Sequence, residues 1–233
     1  MVKGNKNKLS LADYFSLMNA IFGFLGIIVL FLNIIPDEIK FRISISFLLL
    51  AIIADGLDGI IARKTFRSEV GEHLDSMADM TSMGIATSIF VYLSYHDIIS
   101  NSFYSQIYLI FALVFFISSA IIRLSSYYKI KKENYFIGLP APASSIIILM
   151  LAYIRVDFIF ILPIIIIISA TMICNIHFPK PKIKIDIIAT LLILITLIIG
   201  DYLNFFAPVL LLAAMILYAI GGPIYLKIFG ELK

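Results

Sequence analysis

The chain has 233 residues, of which 61% are hydrophobic and only 14% charged, with a formal net charge of +3 and a mean hydropathy of +1.04. Soluble domains carry roughly 25% charged and 45–50% apolar residues, so a soluble globular fold is excluded, and the same hydrophobicity excludes a disordered chain. A single cysteine, Cys174, excludes an internal disulfide framework.

Apolar runs of about 20 residues mark membrane helices. In chain order, eight are predicted, at approximately 14–34, 43–62, 72–94, 106–128, 138–154, 157–174, 185–200 and 203–226. Eight spans take up about 160 residues and leave no room for a soluble domain. The chain therefore reads as one domain over 1–233, an all-α polytopic membrane bundle of about eight transmembrane helices. The runs are continuous, as in Phe158–Ile168, and lack the alternation of barrel strands that face lipid on one side. Met1–Ser10 shows no convincing cleavage site, so the first run is read as a span and not as a signal peptide.

Lysine and arginine set the orientation. With eight spans both termini share a side, and that side holds Lys3, Lys6, Lys8, Arg63, Lys64, Arg67, Arg123, Lys129, Lys131, Lys132, Lys180, Lys182, Lys184, Lys227 and Lys233. The opposite side holds only Lys40, Arg42 and Arg155. This bias puts both termini, and the loops near 63–71, 129–137 and 175–184, in the cytoplasm of a multi-pass protein of the cell membrane.

Four aspartates, Asp55, Asp58, Asp75 and Asp79, interrupt the second and third spans. Charges inside a membrane are costly and mark function by default. At about 100° per residue, Asp58 lies about 60° from Asp55, Gly59 about 40° and Ala62 about 20°, so one narrow face carries two carboxylates and two minimal side chains. On the next helix Gly71, Asp75 and Asp79 fall four residues apart and form one stripe. The short basic turn Arg63–Val70 makes the two helices antiparallel neighbours. The hairpin thus gathers four carboxylates near the cytoplasmic surface. Hard divalent cations such as Mg2+ or Mn2+ are their natural neutraliser, and a pair of them is the recurring device of phosphoryl transfer. The small residues leave space for a flat group such as a nucleotide, and Arg63 is placed to hold a phosphate.

The segments Asp55-Gly-Leu-Asp58-Gly59-Ile-Ile-Ala62-Arg63 and Gly71-Glu-His-Leu-Asp75-Ser-Met-Ala-Asp79 resemble the signature of the CDP-alcohol phosphatidyltransferases. That signature is D-x-x-D-G-x-x-A-R, a spacer, then G-x-x-x-D-x-x-x-D, and all eight fixed positions match. The resemblance implies transfer of a phosphatidyl group from a CDP-linked lipid to an alcohol with release of CMP. It implies that Asp55, Asp58, Asp75 and Asp79 bind two divalent cations and that Asp79 is the general base. It further implies that Asp55, Gly59, Ala62, Arg63 and Gly71 contact the CDP-lipid, either CDP-diacylglycerol or CDP-archaeol, and that the chain works as a homodimer among membrane lipids, with no nucleic acid.

Three softer matches bear on the alcohol. Phe136-Ile-Gly-Leu-Pro140-Ala-Pro142-Ala-Ser-Ser is similar to the F-x-G-L-P-x-P-A-A stretch of the phosphatidylserine synthase branch. Arg123-Leu-Ser-Ser stands where that branch carries an R-L-A-R-type segment, and Asn175-Ile-His-Phe-Pro179 resembles its N-I-x-Y-P-type stretch. Asn19 and Gly23 in the first span resemble its start. Ser125, Ser126 and Ser144 depart from the pattern, and Ala12-Asp13 stands where a Pro-Asn pair is often seen. The resemblance implies L-serine as acceptor, with Arg123 as the partner of its carboxylate. Lys129, Lys131, Lys132, Lys180 and Lys182 are alternatives, though loop lysines also serve orientation alone. Gly138, Pro140 and Pro142 either shape an acceptor pocket or simply break and restart a helix. Glycerol 3-phosphate or inositol phosphate is the competing acceptor. An ion-coupled transporter is the competing class, and it lacks a second acidic pair in the other half of the chain. His73 is expected to point away from the aspartate stripe.

Overall fold

The fold is described from a computed structural model, which covers residues 9–64, 68–127, 135–181 and 183–229, and within them the side chains of all but 63, 64, 127, 183, 184 and 229. The described residues form helices α1 (Leu11–Leu30), α2 (Asp37–Lys64), α3 (Gly71–Asp79), a π-helical turn (Met80–Ala86), α4 (Thr87–Ile99), α5 (Phe103–Tyr127), α6 (Ala141–Tyr153), α7 (Phe158–Ile173), α8 (Ile183–Ile199) and α9 (Tyr202–Phe229). The segment α3, π-turn and α4 is one continuous rod, so the eight predicted spans appear as eight rods. The helices α1, α2, α5 and α9 are long and apolar enough to cross a membrane, and α6, α7 and α8 are shorter apolar helices. The chain is a membrane-embedded, all-α protein.

Helix ends differ from the predicted ones for local reasons. The second rod starts at Asp37 rather than near 43, because Asp37 and Glu38 occupy its first turn, where acidic side chains favour the helix dipole. The first rod starts on a capping box: Asp13 N donates to Ser10 Oγ (3.2 Å) and Ser10 N to Asp13 Oδ2 (2.6 Å), so Asp13 is a buried cap. The fifth starts only at Ala141, because Gly138 turns the chain with a positive φ and Pro140, in extended conformation, takes the N-cap position.

Helix α6 is buried on nearly all sides and forms the centre, packed by α4, α7 and α9. Its Ile148 packs in one core with Phe90, Leu109, Phe116 and Ile161 of the neighbouring helices. The α1–α2 pair packs against α3 and the π-turn. Gly23 permits this approach, since a Cβ there would lie 2.7 Å from the Cα of Ser82. Two three-residue strands, β1 (Tyr135–Ile137) and β2 (His177–Pro179), pair antiparallel with Phe136 opposite Phe178. Sequence periodicity gave no sign of this ribbon. Gly138 follows it with φ of 77°, and its N–H donates to Ile176 O at 2.8 Å.

Candidate active site

The site lies where the C-terminal part of α2 meets α3 and α1. Carboxylate oxygens of Asp55, Asp75 and Asp79 lie within 4.8 Å of one another. Asp55 and Asp75 are half-buried and Asp79 is buried, 8% exposed. Asp58 stands slightly apart. It is buried and accepts a 2.5 Å hydrogen bond from Ser16 Oγ. Its charge still acts on Asp79, as do those of Asp55 and Asp75. The hairpin thus brings three of the four aspartates into one tight group, while Asp58 is engaged by Ser16 of α1.

Helix α1 supplies the groups that hold the two buried acids. Ser16 and Asn19 are three residues apart and so share a face. Asn19 is fully buried, and its Nδ2 donates to Asp79 Oδ1 at 2.8 Å. Sequence reasoning noted Asn19 only by resemblance and missed Ser16. The signal was present as two polar residues at helical spacing on one face of an apolar span.

The donor set fits a hard divalent cation. Three carboxylates converge within reach of one ion, all ligands are oxygen, and the repulsion among them is relieved by positive charge. A buried acceptor, Asn19 Oδ1, has no hydrogen-bond partner among the described residues and is available to a bound group. Beside the acids, a Cβ on Gly56 or Gly59 would meet nothing within 4 Å, so open space adjoins them. Ala62 is half-buried on the same helix and Gly71 is buried at the start of α3. The side chain of Arg63 lies outside the described residues, as do Arg67, Lys129, Lys131, Lys132 and Lys182. His73 is exposed.

The second group of predicted residues also comes together. Arg123 is buried, 9% exposed. Its guanidinium carbon lies 6.0 Å from the centre of the Phe136 ring, and Lys180 Nζ lies 5.3 Å from the same ring. The three sequence segments around Arg123, Phe136 and Asn175–Pro179 are therefore neighbours, joined by the β1–β2 ribbon. Pro140 is the N-cap from which α6 restarts, and Gly138 lies in the turn before it, against Met172 O at the end of α7. The depth of Arg123 follows from packing. Ala120 Cβ lies 3.9 Å from the position a Cβ on Gly84 would take. Arg123 is one turn beyond Ala120, about 4.5 Å, and Asp79 is five residues from Gly84 in the antiparallel rod, roughly 7 Å in the same direction. Arg123 and Asp79 thus sit within about one helical turn of the same level.

The model of the CDP-alcohol phosphatidyltransferase family matches residues 9–221. The CDP-diacylglycerol–serine O-phosphatidyltransferase of Methanocaldococcus jannaschii is 32% identical over 215 residues, 92% of each chain. The archaetidylserine synthase of Methanothermobacter thermautotrophicus is 33% identical over 87 residues, 36% of this chain and 35% of that one. The CDP-diacylglycerol–serine O-phosphatidyltransferase of Saccharomyces cerevisiae is 30% identical over 151 residues, 62% of this chain and 54% of that one.

Proposed function

The chain belongs to the CDP-alcohol phosphatidyltransferase family, and on that premise we propose that it transfers the phosphatidyl group, or its ether-lipid equivalent, of a CDP-linked lipid to the hydroxyl of L-serine and releases CMP. The observation that carries the chemistry is the convergence of Asp55, Asp75 and Asp79 within 4.8 Å, with Asp58 behind them. The serine acceptor is supported by the relative whose name includes it and which aligns with 92% of the chain.

In this reading Asp55, Asp58, Asp75 and Asp79 hold two divalent cations, Mg2+ or Mn2+. When bound, such ions neutralise the diphosphate and stabilise the departing phosphate oxygen of CMP. The protein's own groups do the rest. Gly59, Ala62 and Gly71 leave room for the cytidine, and Arg63 holds the diphosphate. Asp79 takes the proton of the serine hydroxyl as its oxygen bonds to the lipid-side phosphorus and the bond from that phosphorus to CMP breaks. Asn19 fixes the carboxylate for this task. Arg123 pairs with the serine carboxylate. The fifteen-to-three distribution of basic residues supports an active site facing the cytoplasm, where soluble serine meets the lipid. The single domain over 1–233 and the homodimer belong to the same reading, and light scattering of the solubilised protein reads the latter.

The test is CMP release by the purified full chain with CDP-diacylglycerol or CDP-archaeol, a divalent cation, and serine, glycerol 3-phosphate, inositol, inositol 1-phosphate or no acceptor. Release with serine alone, abolished by a chelator, is expected. Release with a phosphorylated acceptor instead would keep the acidic site and overturn the role of Arg123. Silence with every acceptor and both lipids would overturn the reaction and restore the transporter.

A further inference from the structure

Only Lys40, Arg42 and Arg155 are basic on the side away from the aspartates; Arg155 lines a cavity there, and Arg42 pairs with Asp201 on its wall. The cavity has a volume of about 400 Å³ and is lined by Glu38, Phe41, Tyr153, Arg155, Asp201 and Phe205 among others. Glu38 lies 17 residues before Asp55 on α2, which places it about 25 Å along the helix from the acidic site. The reaction proposed above does not use this cavity, and the inference does not rest on that reaction.

Most charges around it are already matched. Lys40 Nζ pairs with Asp37 at 2.8 Å. Arg42 Nε lies 3.3 Å from Asp201 Oδ1, and its guanidinium stands 4.5 Å from the centre of the Tyr202 ring. Three polar groups are left over. Among the described residues Glu38 forms no ion pair and neither does Arg155, whose guanidinium lies 5.9 Å from the centre of the Phe41 ring. Tyr153 is 9% exposed, and its hydroxyl has no hydrogen-bond partner among the described residues. Buried tyrosines normally find one, and here Tyr95 donates to Val156 O at 2.5 Å and Tyr218 to Pro179 O at 3.1 Å.

The backbone adds a second observation. Arg155 follows the end of α6 with φ of 58°, the left-handed position at which helices usually place glycine. Arg155 N donates to Ala152 O and Val156 N to Leu151 O, each at 3.1 Å, so the turn is the ordinary glycine-type stop. Arginine is the poorer choice for that backbone, and what it adds is a cation over the cavity.

We propose that this cavity is a second binding site, for a zwitterionic head group whose anionic part is held by Arg155 and the Tyr153 hydroxyl and whose ammonium is held by Glu38. One cation, one anion and one buried donor are the complement of a phosphate or carboxylate linked to an amine. The volume accommodates a group of that size. Its place at the end of the rods, ringed by Phe41, Phe90 and Phe205, suits the head of an aminophospholipid in the membrane leaflet opposite the aspartates. A free amino-alcohol phosphate has the same chemistry.

The chain has no tryptophan, so Phe205→Trp gives a single fluorescent reporter at the cavity and none at the aspartates. The solubilised full chain carrying it is titrated with a short-chain phosphatidylethanolamine, with free phosphoethanolamine, and with a short-chain phosphatidylglycerol that lacks the amine. A saturable emission change is expected with the first and at least tenfold weaker binding of the third. A matching curve with free phosphoethanolamine assigns the soluble source, and its failure assigns the lipid. Arg155→Gly relaxes the backbone while removing the cation, so it is expected to fold normally, release CMP as before, and bind at least tenfold more weakly; Tyr153→Phe and Glu38→Gln are expected to follow it. Native mass spectrometry of the chain without the reporter provides the check that a misplaced indole would not disturb: phosphatidylethanolamine adducts retained by the unmodified chain and lost from Arg155→Gly. Absence of saturable binding in both measurements, equal binding of phosphatidylglycerol, or binding unchanged in Arg155→Gly would overturn the proposal.

Discussion

Replacing Asn19 by alanine removes a hydrogen bond between two buried groups without touching any carboxylate. The bond runs 2.8 Å from Asn19 Nδ2 to Asp79 Oδ1, and Asn19 has no exposed surface. A hydrogen bond to a charged group contributes ~1.5–3 kcal/mol, and each ~1.4 kcal/mol is a factor of ten. If the bond holds Asp79 in the geometry needed to take the serine proton, its loss falls on kcat, by roughly ten- to 100-fold, with the KM for CDP-lipid nearly unchanged. The assay is CMP release under saturating cation, with kcat and both KM values measured for the variant and the unmodified chain. A kcat within twofold of the unmodified chain, at equal thermal stability, would refute the positioning role. A uniform rise in KM with kcat intact would place Asn19 in substrate binding instead.

Asp79→Asn is expected to abolish turnover while sparing CDP-lipid binding, whereas Asp55→Asn should weaken cation binding itself, seen as a rightward shift of the Mg2+ or Mn2+ dependence; the same phenotype from both would show that the base and the ligands are not separable. Arg123→Ala should raise the KM for serine at least tenfold with a much smaller effect on that for CDP-lipid, and an unchanged serine KM would remove Arg123 from the acceptor pocket. Gly138→Ala forces a side chain into a left-handed turn with φ of 77° and puts its Cβ 2.1 Å from Met172 O. The backbone strain alone costs ~1–3 kcal/mol, so the thermal midpoint of the solubilised protein should fall by about 5 °C or more; a midpoint within one degree would show that the ribbon is not anchored at this turn.

The spans and the acidic hairpin were legible because each rests on a strong, local signal. Continuous apolar runs have no other stable use in a chain this hydrophobic, and the spacing of Asp55, Asp58, Asp75 and Asp79 maps directly onto helix geometry. The difference between Asp58 and the other three was not legible. It depends on Ser16 of a different helix, and sequence spacing within one helix says nothing about which acid a neighbour will engage. The β1–β2 ribbon was hidden for a related reason. Its strands are three residues each, too short to show alternation, and they pair across an intervening pair of helices. The resemblance that linked Phe136, Arg123 and Asn175–Pro179 to one property of the site contained this proximity without stating it.

The π-turn explains why a periodicity argument succeeds up to Asp79 and fails just beyond it. Up to that point Gly71, Asp75 and Asp79 form a straight stripe. The wider turn over Met80–Ala86 then adds a residue to the cycle and rotates the following α4 relative to the stripe, so that Phe90, Val91 and Tyr95 enter the core. A regular α-helix would carry the acidic stripe onward into the same face as Met83. Its carbonyls are satisfied by hydroxyls: Ser145 Oγ of α6 donates to Met83 O at 2.9 Å and Thr87 Oγ1 to Ser82 O at 3.2 Å. Gly23 of α1 meets the turn at Ser82, one helical turn from Asn19, which holds Asp79. One rod can therefore present carboxylates to α1 and α2 toward one end and pack apolar side chains around α6 beyond it, and the small and polar residues of α1 and α6 that make this possible sit at the change of register. π-turns of this kind occur preferentially at functional sites, and in this chain the reason is geometric: the turn separates the face that binds charge from the face that builds the core.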